Sequence, residues 1–305
     1  HHRFNEQWSA YAEDNLDLFG KRTSITQVYG VTYTPDAAWT VKLAGEFGNV
    51  YDSYSTDDID RRAISMAIGY NDEGVDGKVK VEARDDDSED DLKDMQSYLL
   101  QASLGITISE DWRAIGTCDG VFTEATDDTR EGDYAEGSMG FAYRGTTSDK
   151  WNALVKYTYL LDQPGADQVT VDGTTSAPAQ RSHILSGDVS YQATNKLTLG
   201  AKYGVRVGEI RERIAGANWE RSSVHLGVLR ADYHIVHEWD AMLEGRVMWS
   251  PTTDETDLGI VAALYRHFGE NMKVGLGYNF GRFSDDLRDL SQNDHGVFVN
   301  VIGKF

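Results

Sequence analysis

Charged side chains at every second position are the feature of this chain most able to do chemistry. In Trp39-Thr40-Val41-Lys42-Leu43-Ala44-Gly45-Glu46-Phe47 one face carries Trp, Val, Leu, Gly and Phe, and the other Thr, Lys, Ala and Glu. The segment from Trp239 sets Ala241, Leu243, Gly245, Val247 and Trp249 against Asp240, Met242, Glu244, Arg246 and Met248, and Leu197 to Val207 does the same around Lys202 and Arg206. A buried soluble strand does not place Lys, Glu and Arg opposite a clean apolar row, whereas a wall with hydrocarbon on one side and water on the other does. Continued along the chain, the same register turns Lys42, Glu46, Lys78, Lys80, Glu82, Arg84, Arg113, Glu136, Arg144, Lys156, Lys202, Arg206, Glu244, Arg246, Lys273 and Lys304 to the wet side. The chemistry such a wall offers is selection of solutes by its field. The competing reading is an interior packed with ion pairs and no open path.

Acidic clusters offer a second chemistry. Asp85-Asp86-Asp87-Ser88-Glu89-Asp90-Asp91 is the densest, followed by Asp57-Asp58-Ile59-Asp60, Asp127-Asp128 and Asp285-Asp286. Carboxylates of Asp85, Asp87 and Asp90 are weak candidates for holding calcium or magnesium, or for bridging through it to lipopolysaccharide phosphates. The alternative is solvated loop surface. No stretch has the glycine and closing glutamate of an EF-hand. His234 and His237, with Asp232 nearby, invite a metal or acid–base site, but on a strand the two imidazoles fall on opposite faces. Gly275-Leu276-Gly277 follows strand alternation with no helix after it, which argues against a dinucleotide fingerprint. The single cysteine, Cys118, excludes an internal disulfide and a cysteine zinc cluster. No catalysis and no cofactor are expected. A net charge of −21 argues against nucleic acid as a partner.

The elements that position these residues follow from the same alternation. Strands are expected near 7–18, 23–34, 38–50, 60–71, 77–86, 95–108, 111–124, 133–146, 150–162, 181–193, 196–208, 222–236, 238–250, 257–268, 271–283 and 295–305. Short turns at 35–37, 71–77, 109–110, 147–149, 193–195, 236–237 and 269–270 alternate with longer connections at about 51–59, 85–94, 125–132, 163–180, 209–221, 251–256 and 284–294. Short connections on one side and long acidic loops on the other suit a transmembrane β-barrel, with the turns periplasmic and the loops extracellular. Trp39, Trp112, Trp151 and Trp239 each stand just past a short turn and Trp8 opens the first strand, which suits an interfacial girdle. Only 4 prolines against 30 glycines and 16 tyrosines fit the same reading. No run approaches the ~18 apolar residues of a spanning helix, which does not bear on a barrel.

The last strand, Gly296 to Phe305, ends in Phe with apolar residues at alternate positions before it. With Val299, Val301 and Phe305 as its main positions, it resembles the signal by which bacterial outer-membrane barrels are handed to their insertion machinery. Gly303 departs from the usual bulky residue. The run Lys273-Val274-Gly275-Leu276-Gly277-Tyr278-Asn279-Phe280-Gly281-Arg282-Phe283-Ser284-Asp285-Asp286-Leu287 resembles the closing hairpin of barrels at the C-termini of large proteobacterial surface proteins. The strand count resembles that of general diffusion porins. These resemblances imply an outer-membrane protein whose partners are lipid, lipopolysaccharide and the insertion machinery, with divalent cations at the acidic loops and a homo-oligomer as further options. The expectation is one closed, antiparallel, all-β barrel over 1–305, of about sixteen strands. Its expected function is a water-filled, cation-favouring channel for small hydrophilic solutes. The alternative is a membrane anchor or translocator at the end of a larger surface protein.

Overall fold

The computed structural model describes residues 1–17, 22–52, 58–88, 94–125, 132–163, 178–212, 217–236, 238–269, 272–281, 283, 285–288 and 295–303. Among these there is no helix, and the backbone forms seventeen strands. The chain divides into two compact units: His1–Thr107, Ile115–Ser138 and Leu161–Ser176 make the first, and Ile108–Ala114, Met139–Leu160 and Ala177–Phe305 the second.

In the first unit β1 (His2–Arg3), β2 (Trp8–Asp17), β3 (Arg22–Tyr33), β4 (Trp39–Asp52), β5 (Asp58–Asp72), β6 (Val75–Ser88) and β7 (Met95–Thr107) are antiparallel neighbours in chain order. Residues of β8 (Trp112–Ala125), β9 (Asp133–Arg144) and β10 (Trp151–Gln163) are shared between the units. In the second unit β11 (Ala179–Gln192), β12 (Leu197–Arg211), β13 (Glu220–Val236), β14 (Trp239–Ser250), β15 (Glu255–Phe268), β16 (Met272–Asn279) and β17 (Gly296–Gly303) form a second antiparallel meander.

Sixteen long strands stand where alternation places them, most with ends within two or three residues. Four expectations need correction. A seventeenth strand, β1, is only two residues long and pairs His2 with Ala10. The acidic run does not begin a loop at 85, because β6 continues through Ser88. There Arg61 and Arg62 stand opposite Asp86 and Asp85, and these opposite charges favour pairing where composition alone suggests a break. The expected strand 271–283 ends at Asn279, after one last ladder bond from the Phe280 N–H to the Ile260 carbonyl. The connection after β14 is also tighter than expected, a turn over 251–254 with Asp254 at φ 54°.

Each meander has one apolar and one polar face. On the apolar face large side chains are bare: Leu258 is 75% exposed, Leu229 71% and Val297 68%. On the polar face, rings lie over glycines of the next strand. Tyr11 stands opposite Gly30, Tyr265 opposite Gly275 and Phe298 opposite Gly277, each so close that a Cβ on the glycine would collide with the ring. Gly275 and Gly277 therefore serve packing: the missing side chain lets an aromatic fold down across the pair.

Candidate functional site

The first unit's polar face is a ladder of ion pairs. The Lys80 ammonium reaches Glu82 Oε2 at 2.8 Å, and Arg84 Nη2 reaches Glu82 Oε1 at 2.7 Å. Arg61 grips Asp86 with two bonds, Nε to Oδ1 at 2.7 Å and Nη2 to Oδ2 at 2.8 Å. Asp86 is only 3% exposed, and this fork on a carboxylate is the geometry that compensates a buried charge. Lys42 and Glu46 share the face, Lys42 exposed and Glu46 half-buried. Asp85 and Asp87 share the face opposite Asp86 by strand alternation, and Asp90 lies outside the described residues.

In the second unit Arg113 and Lys156 lie on the face opposite Trp112 and Trp151 in the alternation of β8 and β10. Near the short-turn end, Asp240 gathers three nitrogens: His234 Nδ1 at 2.7 Å, His267 Nε2 at 2.7 Å and Lys273 Nζ at 2.6 Å. Alternation put Asp240 on this face, but its partners come from three further strands and were not foreseeable. His237 lies outside the described residues. Glu244 accepts from Arg246 Nε at 2.5 Å.

Between β16 and β17 the chain turns onto this polar face as a strap. The Gly281 N–H donates to Asn279 Oδ1 at 2.9 Å, closing an Asx turn. Gly281 crosses Gly259 so closely that a Cβ on Gly259 would lie 3.2 Å from the Gly281 Cα. Phe283 and Leu287 then sink among Ile184, Val224, Leu226 and Val228, with Met248 alongside. Leu226 is completely buried and Phe283 3% exposed. A Cβ on Gly204 would lie 2.6 Å from Leu287 Cδ1, so glycine leaves the socket that Leu287 fills. The wall donates to the strap backbone: Arg246 Nη1 to the Phe283 carbonyl at 3.3 Å, Lys202 Nζ to that of Asp285 at 2.6 Å, Arg206 Nη1 to that of Leu287 at 3.2 Å, and Gln180 Nε2 to that of Arg288 at 3.1 Å. Lys202 also reaches Asp285 Oδ2 at 3.2 Å.

Sequence reasoning placed Lys202, Arg206 and Arg246 on the wet face but missed the strap. The available signal was Phe283 and Leu287, two apolar residues four apart inside an acidic stretch with Gly281 just before them. Outside the strands, the Arg288 guanidinium holds the Asp286 carboxyl below its ordinary range. Hydrogen bonds from the Thr146 N–H and hydroxyl do the same for Asp111 in the turn before β8, as does the Arg144 side chain for Asp149.

Four of the five tryptophans expected near the short turns take a repeated form, each packed on a tyrosine. Trp8 packs on Tyr33 with centroids 4.5 Å apart, Trp39 on Tyr70 at 4.8 Å, Trp112 on Tyr143 at 5.0 Å and Trp151 on Tyr191 at 4.3 Å. Trp239 instead carries Arg266 over its ring at 5.6 Å. Toward the long-connection end, tyrosine hydroxyls on the apolar face bond to histidines: Tyr157 to His183 Nδ1 at 2.7 Å, Tyr203 to His225 Nδ1 at 2.8 Å and Tyr278 to His295 Nε2 at 3.0 Å. Val299 and Val301 are exposed on the apolar face, while Phe305 lies outside the described residues.

No family model matches the sequence, and no curated protein matches it. Among solved structures the chain is similar to the ferric-catecholate import receptor Fiu from E. coli K12 in its open form, with TM-score 0.55 and 6% identity over 91% of this chain and 60% of the receptor's. It also matches the copper transporter OprC, with TM-score 0.49 and 11% identity over 85% of this chain and 52% of that one. A third match is the NanC porin, with TM-score 0.39 and 12% identity over 68% and 94% of the two chains. The chain thus spans well under two thirds of the first two neighbours' length. At such identities the likeness to the receptor is one of fold alone, and the two weaker matches carry no argument.

Proposed function

We propose that the chain is a single outer-membrane β-barrel whose interior is the polar face and whose exterior is the apolar one. In that barrel, Lys42, Glu46, Lys80, Glu82, Arg113, Lys156, Lys202, Arg206, Glu244, Arg246 and Lys273 line a water-filled channel for small hydrophilic solutes, with cations favoured by the acidic loops. One observation carries the reading: among the described residues, the long strands bear bare Leu, Ile, Val and Phe on one face, and charged side chains recur on the other. Water does not tolerate so extended an apolar surface, and hydrocarbon does. The height of the face agrees. Trp239 and Trp249 bound the apolar face of β14, and the ten residue steps from one to the other span about 34 Å along the strand, or about 26 Å at a ~40° tilt, against an apolar band of ~25 Å. Trp8, Trp39, Trp112, Trp151 and Trp239 then form the girdle at one interface and the Tyr–His pairs mark the other. Lipid, lipopolysaccharide and the barrel-insertion machinery are its partners, the last reading Val299, Val301 and Phe305.

A second reading, that of an anchor at the end of a longer surface protein, is favoured by the strap, which covers part of the polar face with an apolar core. Planar-bilayer recording of the full chain tests the first reading. Steady, cation-biased steps are expected, and a silent wild-type protein would sink the open channel. A natural polypeptide running far upstream of residue 1 would favour the anchor.

A further inference from the structure

At the long-connection end of the second unit, the apolar face finishes in a cluster of arginines. Arg181 on β11 and Arg221 on β13 both stand opposite Glu209 of β12, and Arg211 follows two residues after Glu209. Alternation puts them on the face of Leu185, Val207 and Leu229, all of which are bare. Trp219 ties the cluster together. The Arg181 guanidinium carbon stands 4.6 Å from its ring centroid, and that of Arg211 4.9 Å. An indole face attracts cations, so it holds two guanidiniums near each other despite their like charge. Arg181 donates from Nε to Glu209 Oε2 at 2.6 Å. Among the described residues, neither Arg211 nor Arg221 has a carboxylate at ion-pair distance. Glu212 and Glu220 adjoin the cluster in sequence, but alternation turns Glu220 to the polar face, and neither pairs with these arginines. Three guanidiniums thus share one carboxylate, in a chain of net charge −21. The first unit differs. The same end of its apolar face carries Asp60, Asp85 and Asp87, with Arg62 opposite Asp85.

We propose that Arg181, Arg211, Arg221 and Trp219 form a site on the outside of the barrel for the phosphates of one lipopolysaccharide molecule in the outer leaflet. The inference rests on the barrel reading, with the long connections outermost, and deepens it by naming the surface that takes the lipid. The level of the arginines fits. Arg181 stands two residues past His183 on β11, and Arg221 four past His225 on β13. They lie about 7 to 14 Å along the strands beyond the Tyr–His pairs, or about 5 to 10 Å at a ~40° tilt. With those pairs at the edge of the hydrocarbon, the headgroup layer beyond is about 5 to 7 Å deep, and long arginine side chains reach back into it. A planar guanidinium grips phosphate with two parallel bonds. Acyl chains then run down over Leu185, Val207 and Leu229.

Native mass spectrometry of the detergent-purified full chain, titrated with bisphosphorylated lipid A and with its dephosphorylated form, tests this. The wild type should hold the phosphorylated form about tenfold or more tightly, the equivalent of at least one charge-assisted hydrogen bond. Arg211→Gln with Arg221→Gln should abolish that preference. Trp219→Leu should weaken binding of the phosphorylated form about threefold or more with no change of charge, because Arg181 and Arg211 lose the ring that holds them. Arg62→Gln removes the same charge from the first unit's apolar face and should leave binding unchanged. Equal binding of the two forms by the wild type would overturn the inference and leave the barrel standing, and this comparison decides the matter if the double variant does not fold. A folded double variant that keeps the preference would overturn it as well. Displacement by inorganic pyrophosphate at concentrations comparable to lipid A would overturn the lipid assignment in favour of a free anion. Equally tight binding of phosphatidylglycerol would overturn lipopolysaccharide as the source of the phosphate. A wild type that folds and stays monomeric without detergent would overturn the barrel and the inference together.

Discussion

On β4 to β6 the polar face is a run of charges that balance one another: Lys80, Glu82 and Arg84 in a row, and Arg61 closed on Asp86. On β11 to β15 the corresponding face is in large part apolar, with Ile184, Val224, Leu226 and Val228 under the strap and Met242, Val261, Ala263 and Tyr265 packed beside Phe298. The two regions share strand length, alternation and an equally bare apolar side. The difference shows that alternation determines which way a side chain points and not what it meets there. In the first unit cations meet carboxylates of the same meander. In the second, Lys273 and Arg246 also have carboxylates of their own meander, but Lys202, Arg206 and Arg246 reach a segment folded back onto the wall, and part of that wall is suited to a core.

Substitutions that separate the two faces are the way to break this comparison. The largest effect should come from Gly275→Val, because the Tyr265 ring already lies where a Cβ must go. Overpacking there should cost more than about 4 kcal/mol, up to loss of folding, read by urea unfolding in detergent. Gly69→Ala, whose nearest new contact would be 3.9 Å away, should change stability little. Next, Leu226→Ala empties a fully buried site under the strap and should cost about 2–4 kcal/mol. Ser65→Ala on the first unit's polar face should stay within about 0.5 kcal/mol. Equal effects would mean that the two faces are packed alike. Third, Arg61→Ala strands the buried Asp86 carboxylate and should cost about 2–4 kcal/mol at neutral pH, whereas Lys80→Ala, a third exposed and leaving Glu82 its Arg84 partner, should cost well under about 1 kcal/mol.

The smallest effect concerns pH. The Asp286 carboxyl is held low by Arg288, so its contribution is complete above the unfolded value near 4 and is lost as pH falls through the lower folded value. Protection of the Arg288 amide, which bonds Asp286 Oδ1 at 3.0 Å, should be flat from about pH 7 to 5 and fall only below about 4. Asp286→Asn should weaken it throughout. Loss of protection near neutral pH in the wild type would point to another titrating group.

Much of the fold was legible. The strand positions followed from period-2 alternation, because a lipid-facing side chain and its wet neighbour cannot exchange places without burying a charge in hydrocarbon. The tryptophans announced one rim of each apolar face, but their tyrosine partners, a whole strand away in sequence, were not visible. The acidic run at 85–88 misled because composition alone marks it as loop, while the arginines opposite make it strand. The segment 271–283 misled because Phe280 and Phe283 continue an apolar signal, but Phe280 is an exposed ring beside Tyr278 and Phe283 belongs to the strap's packing.

By itself, then, the sequence determined the faces: each side chain's direction is local, a matter of backbone pleat and of which solvent a residue tolerates. Only the tertiary structure decided which charges are compensated, by what, and which part of the polar wall is covered. Those outcomes depend on residues such as Arg206 and Leu287, or Asp240 and His267, that meet only once distant strands are in register. No local pattern encodes the free energy of such meetings.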